Sequence, residues 1–106
     1  MPAMTTAQTL TERQRRHLRA LAHPLKPVVR LGAAGLTDAV VRETERALSD
    51  HELIKVKAAA ADAEARDALL AGLAERTGSA LVQRIGHCAV LYRPRDDVPR
   101  IVIPGH

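Results

Sequence analysis

The chain of 106 residues contains no Phe, no Trp, one Tyr and one Cys. A lone cysteine cannot close an internal disulfide or supply a thiolate cluster, which excludes a disulfide scaffold, disfavours structural zinc and suits a reducing compartment. With Tyr92 as the sole aromatic residue, recognition through paired aromatic stacking platforms is excluded as well. No uninterrupted apolar run approaches the roughly 18 residues that a membrane-spanning helix needs. The opening MPAMTTAQTLTERQRRH lacks the apolar segment and small-residue cleavage site of a signal peptide. A cytoplasmic protein with no membrane partner is therefore expected.

What is present suits one folded domain. Hydrophobic residues make up 46% and charged residues 26% of the chain, and a domain of this length buries about 60–68% of its unfolded surface without staples. The formal net charge is +4. Its distribution is uneven: residues 1–35 carry Arg13, Arg15, Arg16, Arg19, Lys26 and Arg30 against Glu12 alone, a local balance of +5. A basic surface in that region is suited to an anionic partner.

The pattern divides the chain into a flexible lead over 1–10, one domain over 11–104 and terminal residues 105–106. Thr11 and Gln14 have the spacing of a capping box, so a helix is expected from about residue 11 to Ala22, with Leu18, Leu21 and Ala22 buried. Pro24 ends it. Val28–Leu31 reads as a strand broken by Gly32-Ala33-Ala34-Gly35, and Thr37 can cap a second helix ending at Ser49-Asp50-His51. In Leu53–Ala58, strand alternation puts Ile54, Val56 and Ala58 on one face and Lys55 and Lys57 on the other. Asp62 can cap a third helix with the stripe Ala65, Leu69, Leu73 and Ala74, which Gly78 terminates. Leu81–Ile85 and Cys88–Arg93 form a hairpin through Gly86-His87, and Arg100–Ile103 can add an edge strand. The order helix, strand, helix, strand, helix, strand, strand predicts a compact two-layer α/β domain with a four-stranded mixed sheet.

The segment His23-Pro24-Leu25-Lys26-Pro27-Val28-Val29-Arg30-Leu31-Gly32, followed by Gly35-Leu36-Thr37, closely resembles the bacterial YhbY proteins, each essentially one CRM domain. His51-Glu52-Leu53-Ile54-Lys55-Val56-Lys57, Gly78, Ile85-Gly86 and Val90-Leu91-Tyr92-Arg93-Pro94 extend the resemblance over about residues 10–104. It implies a fold similar to the carboxyl-terminal domain of translation initiation factor three. It also implies noncatalytic binding of structured RNA, namely precursor large-subunit ribosomal RNA, within a pre-ribosomal particle. No cofactor and no obligate homo-oligomer are expected.

Gly32 and Gly35 then correspond to a GxxG loop, in which glycine allows backbone N–H groups and the following helix terminus to approach phosphate. The central Ala33 and Ala34 bring no charge, so nearby cations must contribute. Arg13, Arg16, Lys26, Arg30, Lys55 and Lys57 are the candidate phosphate contacts, with Arg84 and Arg93 extending the surface if the hairpin lies alongside. Tyr92 is read as a half-packed edge residue or as the sole stacking platform. Residue chemistry alone leaves a second reading open, an adaptor that docks the same basic face on an acidic ribosomal or assembly-factor protein.

Enzymatic readings lack their constellations. The glycine loop is too short for a nucleotide P-loop and no Lys-Ser/Thr pair follows it. His17, His23, His51, His87 and Cys88 have scattered spacings, and no positioned pair of carboxylates is visible.

Overall fold

The computed structural model describes residues 10–59 and 62–94. The elements run in the expected order: α1 (Glu12–Ala22), β1 (Pro27–Leu31), α2 (Asp38–His51), β2 (Leu53–Ala58), α3 (Ala63–Thr77), β3 (Ala80–Ile85) and β4 (Cys88–Tyr92). Residues 1–9 of the expected lead over 1–10, and the expected edge strand at 100–103, lie outside the described residues.

Local chemistry sets the helix ends. Thr11 Oγ1 accepts from the Gln14 N–H at 3.1 Å and Gln14 Oε1 accepts from the Thr11 N–H at 3.0 Å, completing the capping box of α1. Thr37 and Asp62 cap α2 and α3 through the N–H groups of Val40 and Ala65. Gly78 closes α3 with a left-handed φ of 64°. Glu52 closes α2 at a φ of 66°, an uncommon conformation for a side chain of this kind.

The sheet order is β1-β2-β4-β3. β1 and β2 are parallel, joined by α2 as a parallel connection requires, whereas β4 runs antiparallel to both β2 and β3. A register shift between Leu81 and Gln83 marks an irregularity in β3. There Arg15 reaches from α1 and donates from Nη1 to the carbonyls of Leu81 (2.7 Å) and Val82 (2.9 Å), satisfying acceptors near the end of an edge strand.

Helices cover both sheet faces, so the domain has three layers in place of the expected two. On one face Val29, Leu31, Ile54, Val56, Ala58, Ala89 and Leu91 pack against Leu48 of α2 and Leu70, Leu73 and Ala74 of α3. On the other, Leu53, Val82, Val90 and Tyr92 pack against Leu18 and Ala22 of α1. Strand alternation explains the split: Leu53, Val90 and Tyr92 face away from α2 and α3, and their apolar surface is removed from water only if a further element covers it. The expected helical stripes shift accordingly. Leu21 is 42% exposed while Gln14 joins Leu18 and Ala22 inside. On α3 the buried set is Leu70, Leu73, Ala74 and Thr77, with Leu69 half-buried and Ala65 exposed.

The carboxyl ends of β1 and β2 and the Gly86–His87 turn share one end of the sheet. Ala59 N–H donates to the Leu31 carbonyl at 3.0 Å and Ala58 N–H to that of His87 at 2.8 Å. The ends of α2, α3 and β4 meet at the opposite end, where Arg93 donates to the Thr77 carbonyl at 2.8 Å and its N–H to the Glu52 carbonyl at 2.9 Å.

Candidate nucleic-acid interface

Gly32–Gly35 forms a tight turn at the end of β1, closed by a 2.9 Å hydrogen bond from the Gly35 N–H to the Gly32 carbonyl. The two glycines differ. Gly35 sits at a φ of 75°, which disfavours any side chain, whereas a Cβ added at Gly32 would meet nothing within 4 Å. Ala33 and Ala34 are exposed, and among the described residues their N–H groups donate to no protein acceptor. These are the donors the turn offers. The start of α2 is less available to an anion, because Thr37 already satisfies Val40 and Asp38 places a carboxylate in the first turn, 3.2 Å from Arg76.

The turn is anchored from below. Leu36 packs on the core, and a Cβ at Gly72 of α3 would lie 3.1 Å from Leu36 Cδ2, so α3 is notched where the loop's first apolar residue settles. Leu36 and Val41 flank the Thr37 cap at the positions of a hydrophobic staple and both pack on the same cluster.

The β1–β2 register brings the cations together. Arg30 pairs with Lys57 across the parallel ladder, and Lys55 lies two residues before Lys57. Alternation directs all three away from the face packed by α2 and α3, and α1 covers that open face only around Leu53, Val82, Val90 and Tyr92. Arg30 and Lys57 are exposed and Lys55 is half-exposed. Among the described residues none of the three has an ion-pair partner. Arg30 is two residues from Gly32, so the turn and this cationic row form one continuous surface.

The remaining candidates divide. Arg13 and Arg16 lie on the outward face of α1, exposed and unpaired among the described residues. Lys26 is exposed just before β1, at the opposite end of that strand from the glycine turn. Arg84 and Arg93 do not extend the surface, because strand alternation turns both toward the α2 and α3 side. There Arg84 Nε meets Asp67 at 2.6 Å, while Arg93 meets Glu45 at 2.5 Å and donates to Ser49 Oγ at 3.3 Å. Both cations are thus paired with carboxylates on the helix-covered side, Arg84 at an exposed position and Arg93 at a half-buried one.

Tyr92 is neither platform nor edge residue. It sits on β4, between β2 and β3, at 3% exposure. Burial raises its phenol pKa above the usual 10.0, and the negative charge of Glu52 adds to the rise. Glu52 is fully buried, a feature that the sequence pattern around His51-Glu52-Leu53 did not announce. Among the described residues no group of three or more His, Cys, Asp or Glu side chains is placed to hold a metal ion.

A basic sheet face beside a glycine turn, on a mixed α/β sheet with helices on both sides, defines an α/β domain whose exposed charge suits an anionic partner. Comparison with known proteins is specific. Residues 10–93 match the CRS1 / YhbY (CRM) domain, and the chain belongs to that family. A Haemophilus influenzae protein named RNA-binding protein is 48% identical over 96 residues, spanning 91% of this chain and 96% of the relative. A Pseudomonas aeruginosa relative is 49% identical over 84 residues, covering 79% of this chain and 81% of its own. The solution structure of a Staphylococcus aureus protein superposes with a TM-score of 0.79 at 34% identity, covering 91% of this chain and 100% of that one.

Proposed function

We propose that this chain is a noncatalytic, cytoplasmic RNA-binding protein that engages precursors of the large ribosomal subunit during assembly. The carrying observation is the unpaired row of Arg30, Lys55 and Lys57 running into the exposed Ala33 and Ala34 N–H groups of the glycine turn. Cations neutralise successive phosphates and the turn donates to phosphate oxygens, so backbone and shape dominate over sequence in what is read. Arg13 and Arg16 on the neighbouring helix offer further phosphate contacts when the RNA is wide enough to reach α1. Binding of this kind stabilises an RNA conformation without covalent chemistry. The RNA-binding name of the Haemophilus influenzae relative supports the ligand class, and the resemblance to YhbY proteins supports the ribosomal assignment.

Cofractionation tests the proposal. The tagged chain is expected to sediment with precursors of the large subunit and to leave those fractions when the RNA is digested. Sedimentation away from ribosomal particles contradicts the assembly role. Association with a protein partner that survives complete RNA digestion supports the adaptor reading instead.

A further inference from the structure

Between the cationic row and the β3 edge, the open sheet face holds a small pocket of about 140 Å³ lined by Lys55, Gln83, Ile85, Cys88 and Val90. The strand register builds it from two rows across the sheet. Lys55 pairs with Val90, and Val90 with Gln83; Lys57 pairs with Cys88, and Cys88 with Ile85. Neighbouring strands lie about 4.8 Å apart and same-face residues about 6.6–6.8 Å apart along a strand, so the rows frame a shallow rectangular recess. Val90 is buried at its floor, Cys88 is half-exposed, and Ile85 stands 57% exposed at its rim.

The polar groups of this recess are uncommitted. Among the described residues the Gln83 amide makes no hydrogen bond and the Lys55 ammonium has no carboxylate partner. Gln83 offers donors and an acceptor side by side, and Lys55 offers donors only. An apolar floor with one amide and one ammonium on opposite walls matches a flat heterocycle carrying carbonyl and amino groups on its edge. The volume is well below the roughly 300 Å³ at which drug-sized pockets begin, so the occupant is a single ring system. Charge selects its carrier: from the wall at Lys55 the cationic row continues through Lys57 and Arg30 to the glycine turn, where a polyanionic backbone would lie.

We infer that this recess receives one unpaired nucleobase of the bound RNA, held between Ile85, Cys88 and Val90 and hydrogen-bonded by Gln83 and Lys55, while the flanking phosphates follow Lys57 and Arg30. The inference rests on the RNA-binding reading and adds to it a place where a base, beyond the backbone, is contacted. It also supplies what the missing aromatic residues withhold, since aliphatic and thiol surface takes the place of a stacking ring.

The test uses the full chain and a pool of RNA hairpins with randomised loops, compared at low salt with the same pool carrying abasic sites throughout the loop. Charge is unchanged between the pools. The native chain is expected to bind the base-bearing pool at least about 3- to 10-fold more tightly, the range of one net hydrogen bond. That preference should shrink toward unity in a Gln83→Ala/Ile85→Ala variant, whose positions are half-buried and exposed, with folding confirmed by circular dichroism. Cys88 is the only cysteine, so its alkylation by iodoacetamide reports occupancy directly. At equal bound fraction, the base-bearing pool should slow alkylation more than the abasic pool does. Equal affinity for the two pools, a preference that survives in the variant, or equal protection of Cys88 would overturn the pocket and leave backbone binding intact. A native chain that binds neither pool at low salt would overturn the RNA-binding reading and the pocket with it.

Discussion

Arg30 and Lys57 stand opposite one another on adjacent parallel strands, with Lys55 on the same face and no carboxylate paired to any of the three among the described residues. Like charges placed across strands disfavour the free sheet by a few tenths of a kcal/mol. An anion laid along them removes that cost. Replacing Lys55 and Lys57 by Ala should therefore leave the fold at least as stable while lowering affinity for RNAs of any sequence. The slope of log affinity against log salt should flatten by up to about 2 if both amines neutralise phosphates. Titrations at several salt concentrations provide the check; an unchanged slope in a folded variant would remove both lysines from the contact surface.

The two glycines of the turn should respond differently. At a φ of 75°, Gly35→Ala is strained and is expected to cost about 1–2 kcal/mol of stability. Gly32→Ala, placed where a Cβ meets nothing, should fold nearly as well as the native chain. A bulkier residue at position 32, Gly32→Val, should weaken RNA binding without lowering the melting temperature in proportion. Full affinity in Gly32→Val would place the RNA away from the turn.

Arg93 separates a structural cation from a binding one. It joins β4 to Glu45 and Ser49 of α2 and to the Thr77 carbonyl at the end of α3. Arg93→Ala should destabilise the domain by about 1–2 kcal/mol, the value of charge-assisted hydrogen bonds discounted for partial exposure. Denaturant unfolding measures the loss. Affinity per folded molecule should be unchanged, and a specific loss of RNA binding would return Arg93 to the interface.

Tyr92 gives a pH signature. Its phenol pKa is raised by burial and by Glu52, so the folded state holds the proton more tightly than the unfolded chain. The resulting stability is complete below the ordinary value of 10.0 and is lost as pH rises through and above it. Tyr92→Phe should flatten the fall in melting temperature above about pH 10. Because Tyr92 is the only tyrosine, phenolate absorbance follows the same group directly. Ionisation at or below the ordinary value in the folded protein would contradict the placement.

Local chemistry made much of this architecture readable. The Thr11–Gln14 capping box, the Thr37 and Asp62 caps, the Gly78 stop and the alternation of Lys55 and Lys57 against Ile54 and Val56 all depend on residues a few positions apart. What escaped depends on pairings between distant segments. Sequence patterning did not assign α1 to the sheet face opposite α2 and α3, a placement that follows from Leu53, Val82, Val90 and Tyr92 gathering there. Arg84 and Arg93 were expected to extend the surface if the hairpin lay alongside, and only the fold shows them facing Asp67 and Glu45 instead. The stripe of α3 was one residue out of phase at Leu69 and Leu70, both of which are leucine, so only the position of the sheet decides between them. The recess at Gln83 and Cys88 exists only through the register of β2, β4 and β3.

RNA is expected to lie across the face bearing Arg30, Lys55 and Lys57 and against the Gly32–Gly35 turn. Crosslinking the native protein in cells and mapping both the modified residues and the attached nucleotides tests it most directly. Crosslinks are expected to concentrate at residues 30–35, 55–57 and 83–88, joined to precursor large-subunit ribosomal RNA. Crosslinks confined to the outer faces of α2 and α3, or attached to no ribosomal RNA, would contradict it.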